Sequence, residues 1–318
     1  MGEAMQIAER MKPLQANVFA DMDRAKAKAR AAGQTIIDLS LGSSDLPADS
    51  HVLDAIARAL PDQSTHGYCL FSGTQTFREA AAQWYTQKFG IPVNPETEVL
   101  LLIGSQEGTA HLPLALLNPG DFALLMDPGY PSHAGGVHLA NGQIYTMPLR
   151  EDQEFLPRFE DIPAAVLDQA KMMVLSYPNN PTAATAPLEF WQKAVAFCQE
   201  HALALVHDFP YGDVTFTGKP AVSVLEADPQ KSISIEFFSM SKSYNMGGFR
   251  IGYAIGNRDL IQALRQVKAN VDFNQYPGIQ QGAIAALTGP QDSVQRVIKT
   301  FQQRRDAFKT AMDRIGWS

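Results

Sequence analysis

Residues 233–252 read ISIEFFSMSKSYNMGGFRIG, and this stretch decides the fold because an apolar run changes to polar residues within a few positions. The run at 233–238 has the composition of a buried strand. Lys242 then stands between serines, and Arg250 follows eight residues later, after two glycines. A lysine, hydroxyl groups, glycines and an arginine after a strand favour an anion-binding pocket at the end of a sheet. A solvated lysine at a strand end is the alternative interpretation.

The overall composition is that of a globular protein whose partners are small. The 318 residues are 45% hydrophobic, enough for a large core. A net charge of −7 with no block of lysine or arginine argues against binding to nucleic acid or to an anionic membrane. Cys69 and Cys198 are far apart and lack metal-ligand spacing, so neither a disulfide nor a metal site is predicted. No apolar run reaches membrane-spanning length, and a cytoplasmic location is expected.

Outward from residues 233–238, the chain contains six more short apolar runs separated by helical segments. The seven runs are residues 99–103, 122–126, 143–147, 172–176, 203–207, 233–238 and 249–255. Runs this continuous in Val, Ile and Leu are typical of strands buried on both faces. The pattern therefore predicts an α/β fold, in which a mostly parallel seven-stranded sheet lies between two layers of helices.

Helices are predicted from apolar periodicity and capping residues. Their ranges are 15–32, 49–60, 77–89, 258–272, 277–287 and 291–314. An additional short strand is predicted at 36–39, followed by a loop at 41–47. The last helix carries an apolar stripe, and we expect that face to need a packing partner. The stripe consists of Val294, Val297, Phe301, Phe308 and Met312.

Polar residues follow five of the predicted strands, and open α/β sheets bind ligands at these carboxyl ends. The five segments are 104–106, 127–130, 177–182, 208–211 and 239–242. The first of them, Gly104-Ser105-Gln106, begins a helix whose free N–H groups can bind a phosphate. An ordinary capped helix start has the same pattern.

Asp208 and Lys242 carry the most specific chemistry among these segments. A carboxylate that ends a buried run, as Asp208 does, needs a partner, which a protonated pyridine nitrogen, an arginine or a helix N-cap can provide. Its neighbour His207 is expected to pack in the core. Lys242 reacts with a carbonyl only when unprotonated, so burial or a positive neighbour such as Arg250 must lower its pKa from about 10.4. The hypothesis is a Schiff-base lysine beside a phosphate pocket.

The order of the motifs is more specific than any one of them. Gly-Ser-Gln, Pro-Gly-Tyr-Pro, Asn-Asn-Pro-Thr, Asp-x-x-Tyr and Ser-x-Ser-Lys follow one another, with Arg250 after the last. This series resembles the fold-type I pyridoxal phosphate enzymes, the class I and II aminotransferases, from about residue 15 to the end. Within this family, the N-terminal segment and the overall sequence pattern are most similar to the branch that contains LL-diaminopimelate aminotransferases. The resemblance implies an enzyme that moves an amino group between an amino acid and a 2-oxo acid.

The resemblance implies five residues around the ring of the cofactor, pyridoxal 5′-phosphate. Lys242 would form the internal aldimine and then move the substrate proton as base and acid. Asp208 would keep the pyridine nitrogen protonated, and Tyr130 would stack on the ring. Asn180 and Tyr211 would hydrogen-bond the ring oxygen, with Tyr211 part of the catalytic set.

The resemblance also implies contacts to the phosphate, the substrate and a second subunit. The phosphate would be held by Ser105, Gln106, Ser239, Ser241 and Arg250. Tyr68, five residues before Gly73, would reach the phosphate bound by a second subunit, so a homodimer with shared sites is expected. Gly42 and Asn180 would lie near the substrate.

The resemblance implies three domain ranges. Residues 1–45 are expected to begin the small domain, 46–288 to form the large cofactor domain, and 289–318 to start the remainder of an incomplete small domain.

Two departures from the family pattern are visible. Asn-Pro-Thr is usually followed by glycine, and here it is followed by Ala183. The resemblance also implies a further C-terminal part with an arginine that would clamp the substrate carboxylate, and no such arginine motif is expected within these 318 residues. The favoured interpretation is a shortened form of a longer enzyme, and a naturally short relative is the other.

Two alternative functions fit the same residues. One is a lyase on the same scaffold, such as a C–S β-lyase. The other is a non-catalytic module that binds a cofactor or effector, which the acidic net charge and the lack of a basic helix make the weaker prediction.

Overall fold

A seven-stranded sheet forms the centre of the protein, seen in a computed structural model that describes residues 5–14, 18–39 and 42–317. Its strands are β1 Val99–Leu102, β2 Phe122–Asp127, β3 Gln143–Pro148, β4 Ala170–Leu175, β5 Ala204–Asp208, β6 Ser234–Ser239 and β7 Gly252–Gly256. Their order across the sheet is β1-β7-β6-β5-β4-β2-β3. Strand β7 is antiparallel to β1 and β6, and the other neighbours are parallel. The predicted α/β class and mostly parallel sheet are confirmed.

Eleven α-helices accompany the sheet in the described residues. They are α1 Val18–Ala31, α2 Ser50–Ala59, α3 Gln75–Phe89, α4 Ser105–Leu116, α5 Pro131–Leu139, α6 Ala164–Leu167, α7 Leu188–Glu200, α8 Met240–Ser243, α9 Arg258–Val271, α10 Pro277–Thr288 and α11 Asp292–Arg314. No helix of this described part is long and apolar enough to cross a membrane. The predicted start of the first helix at residue 15 lies outside the described residues, as do residues 40 and 41 and parts of the predicted 1–45 segment.

Two hydrophobic cores cover the two faces of the sheet, because successive residues of a strand point to opposite faces. In β1, Leu100 and Leu102 belong to one core together with Leu112 of α4 and Leu264 of α9. Leu101 belongs to the other core, which includes residues of α3, α7 and α10. Helices therefore lie on both sides of the sheet, and the predicted three-layer arrangement is confirmed.

Two strand predictions need correction. Residues 36–39 are irregular rather than a strand, with Ile37 86% and Leu39 83% exposed. A short apolar alternation forms a strand only when a neighbour pairs with it, and the described residues provide none there. The last strand starts at Gly252 instead of residue 249, because residues 247–249 form a 3₁₀ turn and Arg250 has a φ of 52°.

Among the described residues, the buried side chains of the terminal helix α11 lie in its first half. Val294 and Val297 of the predicted apolar stripe are buried, whereas Phe308 is 57% exposed. The predicted domain boundaries after residues 45 and 288 are not tested by these contacts and stay predictions.

Candidate active site

A cleft of about 690 Å³ opens at the carboxyl ends of the parallel strands. Every residue that the sequence predicts for the site, except Tyr68, lines this one cleft: Gly42, Ser105, Gln106, Tyr130, Asn180, Asp208, Tyr211, Ser239, Ser241, Lys242 and Arg250. The cleft is also lined by residues to which the sequence assigns no site role: Ser132, Ser176, Asn179, Pro181, Ala183 and Pro210. The fold therefore brings together side chains from segments up to about 200 residues apart, as parallel strands that end at one edge allow.

Lys242 enters the cleft from α8, a single helical turn directly after β6. Ser239 caps this turn, since its hydroxyl accepts a hydrogen bond from the Ser241 backbone N–H at 3.2 Å. The Lys242 ammonium donates to the Gly42 carbonyl at 3.2 Å and lies 5.5 Å from the centre of the Tyr211 ring. Burial lowers the pKa of Lys242 from its ordinary value of 10.5. Of the two causes expected from the sequence, burial is the one that acts.

Asp208 ends β5 with its carboxylate in the floor of the cleft, where the residue is 6% exposed. One carboxylate oxygen, Oδ2, lies 2.9 Å from Nε2 of the buried His133 on α5. The other oxygen, Oδ1, is buried and has no hydrogen-bond partner among the described residues. A buried acceptor of this kind is costly unless a donor reaches it, so the cleft is built to receive a cationic or N–H group at Asp208.

His133 is a partner of Asp208 that the sequence reasoning missed. It lies 75 positions before Asp208, and no spacing rule connects a helix residue to a strand end at that separation. The sequence left an arginine, a helix N-cap or a pyridine nitrogen open as partners of Asp208. His207, in contrast, is fully buried between Glu236 and the Tyr177 carbonyl, as expected for a core residue.

Two tyrosines line the cleft beside Asp208. Burial, followed by the charge of Asp208 and the nearby Tyr130, raises the pKa of Tyr211, and a hydrogen bond with Asn180 opposes that rise. Burial and Asp208 also raise the pKa of Tyr130, against the opposite effect of Arg250. Both phenols therefore remain protonated near neutral pH and can donate hydrogen bonds.

An anion-binding corner forms where α4 begins. Gly104 precedes the helix with a φ of 76°, in the left-handed region that favours glycine. A Cβ at Gly104 would lie 2.4 Å from Nη2 of Arg250, so only glycine lets the guanidinium approach this turn. Arg250 also donates to the Gly247 carbonyl at 3.0 Å. The N–H groups of the first turn of α4 and the arginine together suit a phosphate.

Ala183, which departs from the family pattern, has a φ of 59°. That conformation is strained for any residue with a Cβ and favours glycine, the residue that the family resemblance leads one to expect at this position. The alanine is accommodated with the backbone contacts of the loop intact, since Ala183 N–H donates to the Asn179 carbonyl at 2.9 Å.

Tyr68 is the predicted site residue that lies outside the cleft. Its side chain is 86% exposed, and its ring packs 5.6 Å from the ring of Phe273.

Asp213 links two of the loops that carry site residues. Its Oδ2 accepts a 2.6 Å hydrogen bond from the hydroxyl of Ser243, the residue after Lys242, and its other oxygen pairs with Lys88. Because Asp213 lies two residues after Tyr211, this contact fixes the Tyr211 loop relative to the turn that carries Lys242.

Comparison with known proteins agrees with the motifs. Residues 34–318 match the family described as aminotransferase class I and II. The LL-diaminopimelate aminotransferase of Dehalococcoides mccartyi is 43% identical over 312 residues, which span 98% of this chain and 80% of that protein. The substrate-bound structure of BacF from Bacillus subtilis is similar with a TM-score of 0.93 and 39% identity, over 98% of this chain and 79% of that one.

A second solved structure, the probable N-succinyldiaminopimelate aminotransferase of Thermus thermophilus, has a TM-score of 0.88 at 41% identity and covers 93% of this chain and 80% of that one. A family match over most of the chain and identities near 40% with extensive coverage leave one conclusion. The chain belongs to the class I and II aminotransferase family, whose members depend on pyridoxal phosphate.

Proposed function

We propose that the protein binds pyridoxal phosphate through Lys242 and transfers an amino group between an amino acid and a 2-oxo acid. The observation that carries this proposal is the unpartnered oxygen of Asp208 in the same cleft as an amine of lowered pKa. The first is an acceptor for a protonated ring nitrogen, and the second is an amine that can react with a carbonyl.

The residues in the cleft fit this cofactor. Asp208 would accept the ring N–H, Tyr130 would contact the ring face, and Asn180 with Tyr211 would bind the ring oxygen. The phosphate would be held by Ser105, Gln106, Ser239, Ser241 and Arg250. When bound, pyridoxal phosphate supplies an electron sink for the charge that develops at the substrate Cα.

Lys242 would have two tasks in the reaction. Its amine would attach the resting cofactor and, when released, would carry the proton that leaves the substrate Cα. Because burial lowers the pKa of Lys242, a larger share of the amine is unprotonated near neutral pH than in a solvated lysine. The contact with the Gly42 carbonyl places this amine next to the segment proposed to lie near the substrate.

The amino donor is proposed from the relatives. LL-Diaminopimelate is the first donor to test, because similar proteins carry that name, and a panel of other amino acids should be tested beside it. Gly42 and Asn180 are proposed to contact the substrate. Both cysteines are free thiols, which suits the reducing cytoplasm in which we propose that the enzyme acts.

We further propose that the active unit is a homodimer in which Tyr68 reaches the phosphate of the other subunit. Tyr68, Phe71 and Phe273 form an aromatic cluster with ring centres 5.6 and 6.0 Å apart, and all three are exposed. Exposed aromatic clusters of this kind mark protein interfaces.

The test is cofactor binding and turnover by the purified protein. Wild type should develop the visible absorbance of lysine-bound pyridoxal phosphate and consume donor only with a 2-oxo acid acceptor. Lys242→Ala should lose both properties, whereas Lys309→Ala, on the exposed face of α11, should keep them. Wild type that never gains the absorbance with added cofactor would contradict the proposal.

Product analysis separates the alternatives. Ammonia and a 2-oxo acid released without an acceptor would indicate a lyase. Absorbance that no amino acid alters would indicate a non-catalytic binding module.

A further inference from the structure

A buried cluster of charges lies behind the anion-binding corner, outside the cleft. Lys268 of α9 is fully buried, and its ammonium donates to both carboxylate oxygens of Glu107, at 2.7 and 2.9 Å. It also donates to Asp272 Oδ1 at 3.1 Å. All three N–H bonds of the ammonium are therefore satisfied by carboxylates.

The ammonium occupies the position that a cation would otherwise take in this cluster. Ligand atoms of Glu107, His111 and Asp272 lie within 4.8 Å of one another. Because Lys268 is bonded to two of these three residues, the chain itself supplies the positive charge. Counting carboxylates and ammonium, the cluster has two negative charges and one positive charge.

Glu107 connects this cluster to the start of α4. Its Oε2 accepts a hydrogen bond from the backbone N–H of Ile103, the residue before Gly104. Glu107 also donates its own backbone N–H to the Gly104 carbonyl at 3.1 Å. Glu107 thus holds both sides of the turn that leads into Ser105 and Gln106, which line the cleft and whose N–H groups belong to the first turn of α4.

This position creates an electrostatic conflict that Lys268 resolves. A carboxylate in the first turn of α4 is close to any anion bound at that turn, and like charges in a partly buried site repel strongly. The carboxylate is nonetheless needed as the acceptor for Ile103. An ammonium bonded to both of its oxygens cancels its charge and leaves the acceptor in place.

We propose that Lys268 and Glu107 are positioning residues for phosphate recognition, in which Glu107 fixes the turn at Gly104 and Lys268 removes the repulsion that Glu107 would exert on the phosphate. The inference rests on the proposed binding of pyridoxal phosphate. It concerns residues that do not touch the cofactor and act through the backbone turn and its potential.

The experiment compares the dissociation constants of pyridoxal phosphate and of pyridoxal, which lacks the phosphate. Lys268→Met makes the cluster more negative, from −1 to −2, and we expect the preference for pyridoxal phosphate over pyridoxal to fall about tenfold, as for an uncompensated charge near an anion. The double variant Lys268→Met/Glu107→Gln returns the cluster to −1 and keeps a side-chain oxygen for Ile103. Its preference should recover to nearly the wild-type value.

Lys231→Met is the matched control. Lys231 is also a buried lysine, bonded to the Pro92 carbonyl at 2.9 Å and paired with Glu98 at 3.3 Å, but it lies at the amino ends of β1 and β6. Loss of Lys231 should lower the free energy of unfolding without changing the preference for pyridoxal phosphate over pyridoxal. Equal loss of affinity for both ligands in Lys268→Met, or a double variant that does not recover, would overturn the inference.

If Lys268→Met does not fold, as judged by circular dichroism, Glu107→Gln alone provides the test. It brings the cluster charge to zero, so the preference for pyridoxal phosphate should rise, and an unchanged or lower preference would overturn the inference. Wild type that binds neither ligand would instead contradict the proposed function. The two failures are therefore distinguishable.

Discussion

The two sides of the cleft are built from different kinds of contact. On the side of the sheet, Asp208 and His133 are bonded to each other and almost completely buried. On the opposite side, the segment that contains Gly42 is tied to α11 by an ion pair between Asp45 and Arg304, with distances of 2.7 and 3.2 Å and both side chains exposed.

This difference indicates which side of the cleft has a fixed geometry and which side can adapt. A buried polar contact is costly to break, because the group left behind loses both its partner and water. The groups of an exposed ion pair exchange each other readily for water, and such a pair contributes little to stability. The side proposed for the cofactor is therefore rigid, whereas the side proposed for the substrate is held by contacts that can rearrange when the substrate binds.

Matched substitutions on the two sides should produce the largest contrast. Asp208→Asn keeps the shape but removes the charge that would hold a protonated ring nitrogen, so we expect turnover to fall by about a hundredfold or more. Asp45→Asn removes one exposed partner of Arg304 and should leave turnover nearly unchanged. The measurement is kcat with saturating cofactor and substrates. Similar losses in both variants would show that the two sides do not differ in this way.

The pH dependence of Lys242 tests the burial of the cofactor side. Because burial lowers its pKa below 10.5, the unprotonated amine should appear at a lower pH than in a solvated lysine. The folded chain gives up this proton more readily than the unfolded chain. The resulting penalty to stability is complete below the folded-state pKa and disappears as pH rises through the unfolded-state value. The cofactor-free protein is treated briefly with an amine-modifying reagent at several pH values, and mass spectrometry of the Lys242 peptide gives the midpoint of its titration. A midpoint at or above 10.5 would contradict the prediction.

The smallest expected effect concerns the loop at Ala183, on the rim of the cleft. Ala183→Gly should raise the free energy of unfolding by about 0.5–1 kcal/mol, since relief of the left-handed conformation exceeds the added entropy of glycine in the unfolded chain. Denaturant unfolding measures the change. The neighbour Ala184, whose φ is not positive, provides the control, because Ala184→Gly should destabilise. Stabilisation by both substitutions would mean that the φ of Ala183 is not the cause.

The sequence by itself determined that the sheet has these seven strands and which residues follow their carboxyl ends. A buried strand needs a continuous apolar run, and the polar residues that end or directly follow the run must lie at the end of the sheet. Asp208 at the end of β5 and Lys242 in the turn after β6 could therefore be placed from local pattern alone. The family resemblance added roles to these positions, and those roles remain proposals.

Only the tertiary structure decided the partners of these residues. His133 and Asp208 are 75 positions apart, and Lys268 and Glu107 are 161 apart, so no periodicity in the chain connects them. The same limit explains the wrong strand at residues 36–39, because pairing depends on a neighbour that the segment cannot specify. Backbone preference and burial pattern are local properties of a sequence, whereas the satisfaction of a buried charge depends on which distant segment packs against it.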